Sequence, residues 1–289
     1  MPPRPSPGPA EDGKPLVLTT FTILADMARQ VAGDHLEVRS ITRLGAEIHG
    51  YEPTPSDIEA AQGADLIVAN GLGLERWAQR FLQAAGNVPT LTLSEGMAPL
   101  LIEADVAAGK PNPHAWMSPR RAQQYVDRLV AGFSRLDPAA AASFRANGEA
   151  YKRQLAELDG ELRSALATVP RPHRLLVSCE GAFSYLAHDY GLEEAYLWPV
   201  NAESQATPRR MARLIETVKR RRLPAVFCES TVNSDAQREV ARSSGARFGG
   251  TFYVDSLSTP SGPAPTLLQL QRHNVRLIVA GLAPARGGR

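Results

Sequence analysis

Short apolar runs alternate with helical stretches along the chain, and they do so twice. In the first half the runs are Pro15 to Thr20, Leu36 to Thr42, Asp65 to Ala69 and Pro89 to Leu93, separated by helical patterns such as Phe21 to Val31 and Leu74 to Ala84. Alternation of this kind predicts a parallel sheet covered by helices on both faces. A second set follows at Arg174 to Cys179, Ala195 to Pro199, Ala225 to Glu229 and Gly250 to Val254, with helices over Pro208 to Arg222, capped by Thr207, and over Thr266 to Ala280. Between the two sets, Asp137 can cap and Pro138 can open a helix that runs through strong helix formers to Val169. About 30 residues of helix measure about 45 Å, enough to cross from one lobe to another as a strut. Gly148 and Gly160 are expected to weaken it by about 1 kcal/mol each relative to alanine. The predicted architecture is α/β, with two lobes that each carry a mostly parallel four-stranded sheet flanked by helices. One long linker helix joins them. The lobes span 15–137 and 170–283, the helix spans 138–169, and 1–14 and 284–289 are tails.

Composition then narrows the class. A chain of 289 residues is long enough for two cores of ordinary domain size. Hydrophobic content of 43% with 21% charged residues describes a soluble globular protein, and no apolar run approaches the length of a membrane span. A formal charge of +2 is too small to imply nucleic acid, and the densest basic cluster, Lys219 to Arg222, falls in a last helical turn where cations complement the helix dipole. Residues 1–14, MPPRPSPGPAEDGK, hold too much Pro and Gly to fold and lack the apolar core of a secretory leader. That is expected of a cytosolic chain or of one whose leader is absent from this numbering. Cys179 and Cys228 each close an apolar strand and each precede a glutamate, which suggests equivalent places on parallel strands. Buried free thiols are the expectation, with a bridge left open.

Candidate chemistry sits at the strand ends. In GAEIHGYEPTPSDI, His49 lies between the strand near Leu36 and a helix that Thr54 can cap, with Pro55 at its first position and Asp57 three residues past the cap. In open α/β sheets this carboxyl edge is where ligands bind. His114, in KPNPHAWMSPRR, again lies in a loop feeding a helix. Glu180 follows a buried strand in LLVSCEGAFSYL, and Asp255 follows the last strand in GGTFYVDSLS. Taken singly, Glu180 can cap a helix, Asp255 can make an Asx-turn and His114 can pack beside Trp116. Four potential ligands at four strand or loop ends, two from each lobe, are harder to produce by accident.

The stretches HGYEPTPSDI, NPHAWMSP, VSCEGAFSYLAHDYGL, YLWPVNAESQATP, AVFCESTV and TFYVDSLS resemble the solute-binding receptors of metal-importing ABC transporters, most closely their chelated-iron and manganese branch. The similarity runs from about Leu16 to Leu282 in family order. It implies a two-lobed receptor working outside the cytoplasmic membrane, in the periplasm or at the membrane's outer face. The implied role is to capture one divalent metal ion and pass it to a membrane permease. In that family one residue from each of four such segments holds the metal, and the matching positions here are His49, His114, Glu180 and Asp255. Two imidazoles and two carboxylates suit Mn(II) or Fe(II), and they also accept Zn(II). Residues 94–113 contain no histidine, whereas by the same resemblance zinc-specific members often carry a His-rich, acidic loop there, which favours manganese or iron.

Metal-bound imidazoles usually donate their second N–H to a protein acceptor, and Glu229 and Glu52 are the acids best placed by strand position to receive it. His35, His173, His188 and His273 lack ligand-like surroundings and read as structural or solvated. The competing readings are a zinc receptor of the same family and a mononuclear metalloenzyme. An enzyme keeps coordination positions open for substrate, and this chain offers no nucleophile elbow, phosphate loop or HExxH helix. The expectation is a monomeric carrier with no catalytic role and no nucleic-acid partner.

Overall fold

The computed structural model describes residues 13–86, 88–103, 107–200 and 206–283. Apart from Gly13 and Lys14, the two tails expected from sequence lie outside these residues. Strands β1 (Leu16–Thr19), β2 (Glu37–Ser40), β3 (Leu66–Ala69) and β4 (Thr90–Thr92) form one parallel sheet in the order β2-β1-β3-β4. Val17 sits opposite Val38 on one side and Leu66 on the other. The central strands β1 and β3, LVLT and LIVA, are buried along their whole length, and so they read as unbroken apolar runs. At the sheet edge, β2 is only partly buried, with Val38 its one buried residue.

Helices α1 (Thr22–Ala32), α2 (Pro55–Gln62), α3 (Ala78–Ala85) and α4 (Pro119–Leu136) belong to the same half. The expected capping box of α2 is present: Thr54 Oγ1 accepts from the Asp57 N–H, and the Asp57 carboxylate accepts from the Thr54 N–H. By contrast, α3 begins at Ala78 and not at Leu74. The cause is Glu75, whose buried carboxylate turns back to accept from the N–H groups of Asn70 (2.6 Å) and Gly71 (3.2 Å) and from the Thr20 hydroxyl (2.7 Å). A side chain serving the preceding strand end this way holds its own backbone in a turn.

The second half contributes β5 (Leu175–Glu180), β6 (Glu193–Trp198), β7 (Ala225–Glu229) and β8 (Arg247–Phe252), with helices α6 (Ser184–Tyr190), α7 (Pro208–Arg221), α8 (Asp235–Ser244) and α9 (Leu267–Leu282). All strand pairing is parallel, yet the four strands hydrogen-bond as two pairs, β5-β6 and β7-β8, and not as one continuous sheet. Side chains and a shared apolar cluster hold the pairs together. The fully buried Gln237 on α8 donates to Phe227 O on β7 (2.9 Å) and Val177 O on β5 (3.4 Å). A disulfide joins Cys179 to Cys228, with the Cα atoms 4.8 Å apart. The expectation of free thiols is thereby corrected. Equivalent ends of neighbouring parallel strands fall within bridging distance, a relation hidden by their separation of 49 residues in sequence.

Between the halves runs α5 (Ala141–Ala167), 27 residues long, after a single 3₁₀ turn at Pro138–Ala140. Asp137 accepts from the N–H groups of Ala139 and Ala140, as the sequence suggests for its cap. Phe144, Gly148, Tyr151, Leu155, Leu158, Leu162 and Leu166 are buried at helical spacing. This face packs on α1 and α4 of the first half and α9 of the second, within one continuous apolar cluster. The helix is thus the spine of a shared core as well as a strut. At Gly148 the absence of a side chain is what permits contact, because a Cβ there would lie 2.4 Å from Val130 Cγ2 on α4. Among the described residues no helix is long and apolar enough to cross a membrane.

Candidate metal centre

The four residues singled out from sequence meet at one point between the halves. His49 stands in the loop between β2 and α2, His114 in the loop before α4, Glu180 at the last position of β5, and Asp255 three residues past β8. All four are buried, none more than 3% exposed. His49 Nε2 lies 3.1 Å from Glu180 Oε1 and 3.6 Å from Asp255 Oδ2. His114 Nε2 lies 3.8 Å from the same Glu180 oxygen and 3.7 Å from Asp255 Oδ1. The two rings meet edge to face with centroids 5.2 Å apart. Neither Nε2 has a hydrogen-bond partner, nor does Asp255 Oδ1. Buried polar atoms are normally paired, so donor atoms converging without partners mark a place built for something else.

The electrostatics are those of a cation site. Burial alone would depress the His49 pKa, but the charges of Glu180 and Asp255 beside it prevail and push it up to about 10. Burial pushes the Asp255 carboxyl up, and the two imidazoles outweigh that and hold it below its ordinary value. One more carboxyl lies close behind. Glu229, at the end of β7, has its carboxyl pKa held well above its ordinary value by burial and by the nearby Glu180 charge. With the imidazoles deprotonated, as metal binding requires, two carboxylates and two imidazoles make a donor set of N and O atoms matched to one divalent ion.

Comparison with known proteins gives the family. A family model described as "Zinc-uptake complex component A periplasmic" (ZnuA) matches residues 17–281. The chain belongs to this family. It is similar to the iron-binding protein YfeA of Yersinia pestis, at 45% identity over 265 residues, covering 92% of this chain and 85% of that protein. Similarity to the manganese-binding lipoprotein MntA of Halalkalibacterium halodurans is 34% over 277 residues, covering 96% of this chain and 91% of that one. Among solved structures, the manganese-bound periplasmic metal-binding protein of Candidatus Liberibacter asiaticus superposes with a TM-score of 0.85 at 34% identity, covering 93% of this chain and all of that one. That solved structure shares the α/β fold with parallel sheets flanked by helices.

In this member of the family, the surroundings of the centre include residues that strand position alone did not suggest. Asn112, two residues before His114, is buried, and its Oδ1 lies 3.1 Å from His114 Nδ1 and accepts from the His114 N–H at 3.0 Å. An amide oxygen accepts only, so His114 carries its proton on Nδ1 and turns the Nε2 lone pair toward the centre. The Asn112 amide donates to Gly181 O (2.7 Å), beside Glu180, and so also spans the halves. Trp116 lies tilted against His114, with centroids 5.1 Å apart, and its indole N–H donates to Val254 O (3.1 Å), next to Asp255. Further back, the Asn70 amide donates to Pro113 O (3.0 Å), and Asn70 Oδ1 accepts from the Tyr125 hydroxyl (2.6 Å).

The two acids expected as imidazole partners are placed differently. Glu229 Oε2 accepts from the Glu180 backbone N–H (3.3 Å) and steadies that strand end, not an imidazole. Glu52 is exposed. The signal that could have found Asn112 is the NPH sequence itself, in which an amide side chain two residues before a histidine can reach the ring. The other histidines serve elsewhere: His173 Nδ1 lies 2.8 Å from Leu282 O, His188 faces Asp189, and His273 Nε2 lies 3.1 Å from Thr251 O.

Proposed function

We propose that the protein is an extracytoplasmic receptor that captures one divalent transition metal ion, manganese or iron, through His49, His114, Glu180 and Asp255, and delivers it to the membrane permease of an ABC importer. The observation that carries the ligand assignment is the pair of buried imidazole Nε2 atoms facing two carboxylates, with neither nitrogen hydrogen-bonded. The preference for manganese or iron rests on the donor set and on the names of the relatives, one iron-binding and one manganese-binding. The disulfide supports a place outside the reducing cytoplasm.

The site is read as a carrier and not a catalyst, because four protein donors fill coordination that a reacting substrate would need. One chain supplies all four, so a single copy is a complete receptor. We place the lobe boundaries just outside α5 and its leading 3₁₀ turn, with lobes at 15–137 and 170–283 and the linker at 138–169. The test is metal competition. Protein equilibrated with equal buffered free Mn(II), Fe(II) and Zn(II) is expected to retain manganese or iron at one ion per chain. Retention of zinc alone would overturn the metal preference, and full retention by a His114→Ala variant would overturn the ligand assignment.

A further inference from the structure

Glu47 lies two residues before His49 in the same loop and takes no part in the four-residue centre. It is partly exposed, in contrast to the buried residues behind it. Ligand atoms of Glu47, His49 and Asp255 all fall within 4.8 Å of one another, as do those of His49, His114 and Glu180. The two sets overlap at His49, and Asp255 faces both. The His49 ring has two nitrogens, and Nδ1, like Nε2, is buried without a hydrogen-bond partner. Asp255 Oδ1 is likewise unpartnered. Both side chains are at least nine-tenths buried. The inner arrangement leaves this second imidazole nitrogen unexplained.

We propose that Glu47, His49 and Asp255 form an outer transit site for the divalent cation, through which it passes between solvent and the inner centre. The proposal rests on the reading of the inner four as ligands. In passing inward the cation would release Glu47 and His49 Nδ1 and take up Glu180, His114 and His49 Nε2, keeping Asp255 throughout. Each position offers two carboxylates, so the negative charge facing the ion stays the same along the path. A cation leaving a buried site without such a stepping stone must shed its anionic partners before it regains water, at a large desolvation cost. Three donors, of which Glu47 is partly exposed, leave positions for water, which makes the outer site weak and fast, as a transit site must be.

Glu47 is also held in place. Its Oε1 accepts from the His49 N–H (2.7 Å) and its Oε2 from the Gly50 N–H (2.8 Å). Each oxygen keeps a second lone pair. The same contacts mean that Glu47 could serve only to shape the loop, and kinetics separates the two roles. A residue that only shapes the loop, or only adds negative charge near the mouth, makes release faster when it is removed. A residue that carries the ion across makes both directions slower.

The experiment is stopped-flow loading with Mn(II) and release into excess chelator, on wild type, Glu47→Gln and Glu47→Asp. The expected result for Glu47→Gln is loading and release both slowed by about tenfold, the lower end of what partners beyond the ligands contribute, with the equilibrium constant nearly unchanged. Glu47→Asp, which keeps the charge, should recover part of both rates. Unchanged rates, or release as fast as wild type or faster, would overturn the proposal. A direct measurement does not depend on how Glu47→Gln folds. His114→Ala, which disables the inner centre, should retain a weak Mn(II) signal by electron paramagnetic resonance that adding Glu47→Asp perturbs. A His114→Ala protein with no such signal argues against the outer site, whereas one with wild-type affinity refutes the inner ligand reading itself.

Discussion

Buried polar atoms are normally paired, and this protein brings two imidazole nitrogens without hydrogen-bond partners to one point. An ion there would satisfy both, and each carboxylate would add a donor and neutralise charge. Glu180→Ala and Asp255→Ala should therefore each lower Mn(II) affinity by more than the ~100-fold that bounds the effect of partners outside the ligand set. His188→Ala and His273→Ala should leave it unchanged. Titration against a competing chelator measures both, and wild-type affinity in either carboxylate variant would remove that residue from the ligand set. Asn112 acts through His114. Replacing it with leucine keeps the volume and removes the acceptor that sets the tautomer, so affinity should fall by about 10- to 100-fold while all four donors remain. Wild-type affinity in Asn112→Leu would mean that the ring holds its tautomer unaided.

At the scale of elements, α5 decides how the halves are joined. Its two glycines look alike in sequence and differ in space. A Cβ at Gly148 meets Val130 at 2.4 Å, whereas one at Gly160 meets nothing within 4 Å. The same substitution should then have opposite signs. Gly148→Ala is expected to destabilise by about 1–3 kcal/mol through overpacking against α4. Gly160→Ala should stabilise by up to about 1 kcal/mol, since alanine is the better helix former and nothing opposes it. Chemical denaturation of the two variants gives the comparison directly. The expectation that both glycines merely soften the helix holds for Gly160 alone.

For the whole molecule, protons and metal compete for the same imidazoles. His49 is raised from 6.5 to about 10 by the two carboxylates, so in the metal-free protein its protonation adds stability that is fully present below 6.5 and lost as pH rises through 10. Metal binding needs that proton removed and so gains with pH. Calorimetry should show the metal-free melting temperature declining over that window, while the rise produced by saturating metal grows from about pH 5 to about pH 8. An equal rise at both would exclude histidine ligands. Global motion should be small. The shared core along α5 resists bending, because its packing against α1, α4 and α9 would have to break. Hinge closure usually needs a few loop residues between lobes. Solution scattering with and without metal should give nearly superimposable curves, and a large change in radius of gyration would refute a rigid spine.

Local pattern and chain order determined a great deal here. The alternation of apolar runs and amphipathic stretches set the α/β class, the positions of eight strands and the long central helix. The Thr54 box, the Asp137 cap and the placing of His49, His114, Glu180 and Asp255 at element ends were also legible, because each depends on residues a few positions apart. What depends on groups far apart in sequence needed the tertiary structure. The Asn112 amide meets Gly181 O across 69 residues, and the disulfide crosses 49. Glu75 shortens α3 because the end of β1 and the turn after β3 present it with donors, which helix propensity does not register. Glu229 reaches a backbone N–H and not an imidazole for a related reason: strand order places a carboxylate near a site, but which atom it meets is set by packing. Periodicity assigns a side chain to a face or an edge. Only the folded chain decides what stands opposite it.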